Sequence, residues 1–233
     1  MTDVQNLEHE KLLAACEAVK FVKGNQIIGL GTGSTAKYAV EEIGKLVADG
    51  MKLKAVPTSN KTAELAANLN IKLVSLDEVE AIDLTIDGAD EFDAELNLIK
   101  GGGGALFREK MVARLSKKII IIADSTKKVE RLGAFKIPVE VVPIAINFAK
   151  KQIEKIGGKT TLRKRNDEVF TTDAGNKILD ADFGLIENVI EISETLNAIE
   201  GVVCHGLFIN LAQIVIMGKD SETIVFTKYV NQE

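Results

Sequence analysis

The sequence predicts an α/β protein: a mostly parallel sheet covered by helices on both faces, joined to a smaller α+β unit. Three observations predict it. Short apolar runs alternate with helix-period stretches over the first half of the chain, the order a parallel sheet requires. One run, Ile119–Ala123, is almost continuously β-branched, as befits a strand buried on both faces. After Leu132 the order changes to strand, helix, two strands, helix, strand.

The elements follow in turn. Leu7–Val22 repeats apolar residues at helical spacing, and Gln26–Leu30 reads as a buried strand. Ala36, Ala39, Val40, Ile43 and Val47 mark the next helix, closed by Gly50. Leu53–Pro57 is the second strand, Lys61–Asn68 a helix, Lys72–Val74 the third strand, and Leu84–Ile86 the fourth, ending at Asp87. Gly104–Leu115 is a helix and Ile119–Ala123 the fifth strand. Beyond Leu132, Val139–Val142 is a strand and Asn147–Ile156 a helix. Glu168–Thr172 and Lys177–Asp182 read as a hairpin, with Asp173-Ala174-Gly175-Asn176 supplying the turn. Glu187–Ile199 is a helix and Val202–Val203 opens another strand, completing a ferredoxin-like βαββαβ order. Ile214–Met217 and Thr223–Thr227 form a closing hairpin that returns to the first sheet. The expected division places residues 1–131 and 207–233 in one domain and 132–206 in the other.

Composition excludes several classes of function. The net charge is −5, aromatic residues make up 5%, and no basic block occurs, which argues against a nucleic-acid surface. No apolar stretch reaches the length of a membrane span, and the acid-bearing N-terminus is unlike a signal or transit peptide, so the expected setting is the cytoplasm. Cys16 and Cys204 lie far apart and read as reduced, core-type residues. His9 and His205 belong to no metal-ligand cluster, and no Ser–His or Cys–His arrangement stands out.

Three stretches at strand ends carry the chemistry, where open α/β sheets bind ligands. Gly29-Leu30-Gly31-Thr32-Gly33-Ser34-Thr35-Ala36 joins strand to helix. Its bare backbone, helix N-terminus and hydroxyls suit a phosphate, although a tight turn with Ser34 or Thr35 as N-cap would look similar. The dinucleotide fingerprint lacks its acidic partner: the second strand ends in Pro57-Thr58-Ser59-Asn60. Asp87-Gly88-Ala89-Asp90-Glu91 is followed by Lys100-Gly101-Gly102-Gly103-Gly104. An acidic loop alone is a solvated loop or a Mg²⁺ site, but four ordered glycines are entropically costly without a use. Glu109 falls on the helix sector of Ala105, Leu106, Val112 and Ala113, so its carboxylate is either paired in the core or kept dry for proton transfer. Asp124-Ser125-Thr126-Lys127-Lys128 leaves the fifth strand, within reach of the same crevice.

With these blocks assembled, the chain resembles type A ribose-5-phosphate isomerase over essentially its whole length. The resemblance rests on Gly31-Thr32-Gly33-Ser34-Thr35, Asp87-Gly88-Ala89-Asp90-Glu91, Lys100-Gly101-Gly102-Gly103 with Arg108-Glu109-Lys110, and Ala123-Asp124-Ser125 with Lys127. Pro138-Val139-Glu140-Val141 and Gly201-Val202-Val203 match as well, while Phe107 and the His205 region depart from the family's segments. The resemblance implies a Rossmann-like domain with a smaller α+β domain, a homodimer or homotetramer, and no metal or organic cofactor. It implies interconversion of ribose 5-phosphate and ribulose 5-phosphate in the non-oxidative pentose phosphate pathway. By position, Glu109 matches the proton acceptor, and Asp87, Asp90 and Lys100 the groups around it. Thr32, Gly33, Ser34, Thr35, Asp87, Gly88, Ala89, Asp90, Lys100, Gly101, Gly102, Gly103 and Lys127 match the substrate-binding segments. A sugar-phosphate deaminase, a CoA transferase or a sugar-phosphate sensor would share the architecture. The joined Asp-Gly-Ala-Asp and Lys-Gly-Gly-Gly blocks, with Glu109 in place, favour the isomerase.

Overall fold

In the computed structural model, which describes residues 3–228, helices and strands alternate as the apolar pattern requires. The chain opens with α1 (Asp3–Val19), β1 (Ile27–Leu30), α2 (Ser34–Ala48), β2 (Lys54–Pro57) and α3 (Asn60–Asn68). It continues through β3 (Leu84–Gly88), β4 (Glu91–Phe92), β5 (Leu98–Ile99), α4 (Leu106–Leu115) and β6 (Ile119–Ala123). Next come β7 (Ile137–Val141), α5 (Ile146–Lys155), β8 (Lys159–Leu162), β9 (Lys164–Arg165), β10 (Glu168–Val169) and β11 (Lys177–Asp182). The last elements are α6 (Val189–Asn197), β12 (Val202–His205), β13 (Leu207–Phe208), β14 (Ile214–Lys219) and β15 (Glu222–Thr227). Positions 1–2 and 229–233, the outer ends of the expected first domain, lie outside the described residues.

A six-stranded sheet runs β15-β14-β6-β3-β1-β2. All its pairs are parallel except β14–β15, the closing hairpin that adds the antiparallel edge. The strand order turns at β1: the chain goes one way to β2, then crosses back to β3 and on to β6. Such a reversal leaves a crevice at the carboxyl ends of β1 and β3, where neighbouring connections diverge. The isoleucines of β6 show why the run is unbroken. Ile120 and Ile122 pack with α1 and α2 on one face, and Ile119 and Ile121 pack on the other with Phe92 and Phe208.

Residues 137–205 contribute a second, antiparallel sheet in the order β12-β7-β11-β8. Its core includes Val139, Val141, Ile153, Leu179 and Leu196, and also takes Ile99 and Leu207 from a small third sheet. That third sheet, β13-β5-β4, consists of two-residue strands too short to leave a periodic signal.

Several local expectations are corrected. Lys72–Val74 is not a strand: Leu73 makes a single parallel bridge to Ala55, and Ser75 then caps a 3₁₀ turn. Glu168–Thr172 does not pair with Lys177–Asp182. Instead Glu168 and Val169 pair with β9, and β11 lies between β7 and β8. The Asp173–Asn176 turn does close, through Thr172 N to Asn176 O at 2.9 Å, but the Thr172 hydroxyl goes to buried Glu140 and the ladder stops. Lys159–Leu162, unnoticed in the sequence, fills the place that the hairpin strand would have taken. Cys16 is exposed on α1, and only Cys204 is buried.

Glu10 ties α1 to the carboxyl-end loops. It is buried, with Oε2 accepting from Ser125 N and Oε1 from Asp220 N, each at 2.9 Å. Gly218 lies so close that a Cβ there would overlap the Glu10 backbone. Glu10→Ala is expected to lower the unfolding free energy by about 3 kcal/mol, because two N–H donors lose a charged acceptor. Urea titration checks this. A loss near zero would mean that water replaces the carboxylate at no cost.

Candidate active site

The glycines after β1 bring backbone against backbone. Gly31 N donates to Ile86 O at 2.9 Å, and a Cβ on Gly31 would overlap the Asp87 carboxylate. Gly33 takes a φ of 123° and stands as the N-cap of α2 with no side-chain cap bond. Neither Ser34 nor Thr35 is the cap: Ser34 is exposed and Thr35 buried within the first turn. The first N–H groups of α2 are therefore not covered by a capping side chain, and the helix end presents partial positive charge to the crevice.

Thr32 serves differently from the expected hydroxyl donor. Its N–H donates to Asp87 Oδ1 at 3.1 Å. Its Oγ1 sits 2.7 Å from Thr58 Oγ1, 2.8 Å from Ser59 Oγ and 3.1 Å from Thr62 Oγ1. The hydroxyl is thus committed to a cluster behind the cavity wall. Thr58, Ser59 and Thr62 were not anticipated as site residues. The sequence shows Thr58 and Ser59 only as a strand end without a carboxylate, and nothing in it joins them to Thr32.

The four carboxylates of residues 87–93 go to four different partners. Asp87 accepts from Thr32 N and from Gly88 N at 2.7 Å, and its Oδ2 lies 3.0 Å from Lys100 Nζ. Asp90 accepts from Gly102 N at 2.8 Å. Glu91 accepts from Gly133 N and Phe135 N, and Asp93 closes its own loop on Asn97. The stretch is neither a solvated loop nor a gathered ligand set: Asp87, Glu91 and Asp93 are buried. Among the described residues no group of three or more His, Cys, Asp or Glu side chains is placed to hold a metal ion.

Lys100 is the hub. It leaves β5 with its N–H donating to Gly206 O at 2.9 Å, and its side chain runs inward, 4% exposed. Nζ donates to Gly88 O at 2.6 Å, pairs with Asp87 and lies 3.2 Å from Glu109 Oε1. Burial works to lower the ammonium's pKa, but the Asp87 and Glu109 carboxylates raise it above its ordinary value, so it stays charged.

Glu109 emerges from α4 beside Leu106, Val112 and Ala113, all buried, as the helical spacing implies. Burial pushes its carboxyl up to about 8, against the pull of Lys100 and with the repulsion of Asp87. Burial raises Asp87 too, against Lys100. One ammonium cannot neutralise two buried carboxylates, so the set holds a proton. Asp87 has three donors to steady its anion, whereas Glu109 has the ammonium on Oε1 and no hydrogen-bond partner on Oε2. The proton belongs on Glu109.

These groups meet at one cavity of ≈ 100 Å³. Thr32, Gly33, Ser34, Thr35, Gly88, Ala89, Asp90, Lys100, Gly101, Gly102, Gly103, Glu109 and Lys127 all line it, with Ala36 in addition. Asp87 is the one expected residue not on the wall; it lies beneath, holding Lys100. Lys127 arrives on a 3₁₀ turn that Asp124 caps after β6. His205 is buried and its pKa depressed to about 3, by burial first and then by Lys110, whose Nζ donates to the backbone oxygens of His205 and Leu207.

A helix end receptive to an anion, set beside a buried carboxylate–ammonium–carboxylate set at the switch point of a parallel sheet, defines a class of protein. It is an α/β protein with a buried acid–base set beside an open helix N-terminus, and among the described residues no helix is long and apolar enough to cross a membrane. More particularly, the chain belongs to the ribose 5-phosphate isomerase A (phosphoriboisomerase A) family, whose model matches residues 54–222. It is 46% identical over 224 residues to the ribose-5-phosphate isomerase A of Ruegeria sp. (strain TM1040), covering 93% of this chain and 86% of that one. The crystal structure of ribose 5-phosphate isomerase A from Neisseria gonorrhoeae superposes with a TM-score of 0.88 at 40% identity, covering 94% of this chain and 96% of that one. A solved D-ribose-5-phosphate isomerase in complex with phospho-erythronic acid gives a TM-score of 0.92 at 38% identity, covering 95% and 99%.

The raised carboxyl has a consequence for stability. In the unfolded chain Glu109 titrates near its ordinary 4.5, and in the folded protein near about 8. Between these values the folded state keeps a proton that the unfolded state has released. The stability from this group is therefore fully present below the lower value and is lost as pH rises through the upper one. Glu109→Gln removes that decline. Denaturant titrations across this window should show the variant gaining on the wild type as pH rises; parallel curves would mean the carboxyl is ionised throughout.

Proposed function

We propose that this chain interconverts D-ribose 5-phosphate and D-ribulose 5-phosphate through a cis-enediolate, as a step of the non-oxidative pentose phosphate pathway, with Glu109 as general base. The single observation that carries the reading is the Glu109 carboxylate: it lines the cavity, lies 3.2 Å from a fixed ammonium, and keeps Oε2 without a partner. A carbon acid needs such a base and a place for the oxyanion that forms. A carboxyl at about 8 is a far stronger base than an exposed glutamate and is partly ionised at neutral pH.

In this scheme the first N–H groups of α2, the exposed Ser34 hydroxyl and Lys127 hold the 5-phosphate. The open aldose then lies with C1 and C2 toward Glu109. Glu109 takes the C2 proton; the electron pair moves into the C1–C2 bond and the aldehyde oxygen becomes O1⁻. Lys100 and the N–H groups of the glycine loop stabilise that charge. Glu109 returns the proton to C1, and a second proton passes from O2 to O1. Asp87 is fully engaged with Lys100 and two N–H groups, whereas Asp90 lies on the wall with Oδ2 on Gly102 N. This arrangement favours Asp90 as the group that moves hydroxyl protons and assists ring opening, with Asp87 as the anchor of Lys100. Positive charge comes from Lys100, and no step calls for a metal or an organic cofactor. The phosphorylated acid bound to the solved relative is a ligand of the kind this cavity would take. The same reading carries a homodimer or homotetramer, a cytoplasmic setting, and the domain division 1–131 with 207–233 against 132–206.

Ribose 5-phosphate supplied alone should yield ribulose 5-phosphate, detected as the ketopentose chromophore. No product would leave a sensor. In Glu109→Gln, kcat should fall by at least about 10³-fold while substrate binding survives. In the wild type, kcat/KM should climb with pH along a limb near the carboxyl's value of about 8, and a normal kcat in the variant would remove Glu109 from the base role. Dialysis against EDTA should leave the rate unchanged; a loss restored only by Mg²⁺ would return the acidic loop to a metal site.

A further inference from the structure

Arg163 lies on the connection between β8 and β9, far in sequence from every residue of the cavity, yet it grips the glycine loop. Its Nη1 donates to Gly101 O at 2.8 Å and to Gly102 O at 3.0 Å. On its other side Nε donates to Asp180 Oδ2 at 3.0 Å and Nη2 to Asp180 Oδ1. The pair is largely buried, with side-chain exposures of 13% and 20%. A planar guanidinium can fork onto a carboxylate and still have donors for two carbonyls; an ammonium cannot do both.

The held carbonyls belong to a turn with no side chains of its own. Gly104 N donates to Gly101 O at 3.0 Å, and Gly101 and Gly104 take left-handed φ values of 98° and 87°. The central peptide joins Gly102 to Gly103. In β-turns this is the unit that reverses between turn types, and glycine at both central positions leaves little to choose between them. Each peptide is planar and trans, so its C=O and N–H point in opposite directions. With Gly101 O on Arg163, Gly102 N–H points to Asp90, where it is found. With Gly102 O on Arg163, Gly103 N–H points away from the guanidinium, and Gly103 lies on the cavity wall.

Resting on the isomerase reading, we propose that Arg163, clamped by Asp180, is a positioning residue for that reaction: it fixes the Gly102–Gly103 peptide with its N–H toward the oxyanion and holds Asp90 in register. It touches no substrate. Its effect belongs to the transition state and not to phosphate binding, which takes place at the α2 end of the cavity.

Steady-state kinetics of Arg163→Ala and Arg163→Lys with ribose 5-phosphate test this. In both, kcat should fall about 10²-fold with KM nearly unchanged, the cost of a displaced oxyanion donor. Millimolar guanidinium, far below denaturing concentration, should restore part of the kcat in Arg163→Ala and nothing in the wild type. Should Arg163→Ala fail to fold, Arg163→Lys keeps length and charge and is read in the same way. An unchanged kcat, a raised KM at normal kcat, or a loss that follows the melting temperature and is not rescued by guanidinium would each overturn the proposal. Active wild type with equally active variants removes Arg163 alone; wild type that makes no ketopentose removes the isomerase reading with it.

Discussion

The Lys100 ammonium is the charge around which the site is assembled. It is nearly sealed from solvent and contacts Asp87 and Glu109 at 3.0 and 3.2 Å, with Gly88 O as a third partner. Removing one member of such a buried set typically costs about 3–5 kcal/mol, because the others are left uncompensated. The three charged residues come from three parts of the chain: the end of β3, the residue after β5, and the first turn of α4. Their mutual attraction therefore fixes the relative position of those elements as well as the protonation of Glu109. The imbalance matters most. Two anions and one cation in a dry pocket leave one carboxyl short of a partner, and the hydrogen-bond pattern decides that it is Glu109.

The remainder of the molecule supports that imbalance. Strand order reverses at β1, so the connections after β1 and β3 part and leave a crevice. Gly31 permits the Asp87 carboxylate to lie against the β1 exit, where any side chain would collide with it. The small sheet β13-β5-β4 turns the chain after β3 back on itself and delivers Lys100 to the cavity wall. Connections from the 137–205 region then reach across. Arg163 holds the glycine loop, and Asp173 accepts from Asn60 N at 2.7 Å at the start of α3. Phe170 packs against Gly104, close enough that a Cβ there would overlap its ring.

What the sequence made legible follows from how locally each feature is encoded. Helix stripes and the unbroken isoleucines of β6 are periodic signals, and the parallel sheet follows from them. Glu109 could be read because an acid on the apolar sector of a helix conflicts with its surroundings, and such conflicts concentrate at functional sites. Lys100 and the glycines stood out by composition. The missed features are those in which two distant, individually ordinary residues meet. Thr32 looks like a ligand donor, but the orientation of its hydroxyl depends on Thr58 and Ser59, which the distant connection from β2 to α3 supplies. Lys159–Leu162 is a largely exposed, four-residue strand, and its hydrogen bonds to β11 are set by the fold of the whole unit. Arg163 is one cation among many until the fold places it 2.8 Å from a carbonyl 62 residues away.

The two ends of the cavity are built on different physics, and this suits an isomerase acting on a phosphorylated sugar. At the α2 end, backbone dipoles and Lys127 line the wall, and in the proposed reaction they face a phosphate that stays charged throughout and bind ground state and transition state alike. Toward Lys100 lie the buried charges of Lys100, Asp87 and Glu109, where the energy of an interaction depends steeply on the charge of its partner. In the proposed reaction, interactions of the second kind strengthen only as the oxyanion forms, and only such interactions accelerate a chemical step. A site wholly of the first kind would bind the sugar phosphate without turning it over. A site wholly of the second would have no purchase on the substrate before reaction. The glycine loop lies between them, bare enough for close approach and held from behind by a guanidinium, so that the rigidity required at one end is not lost where the backbone itself is softest.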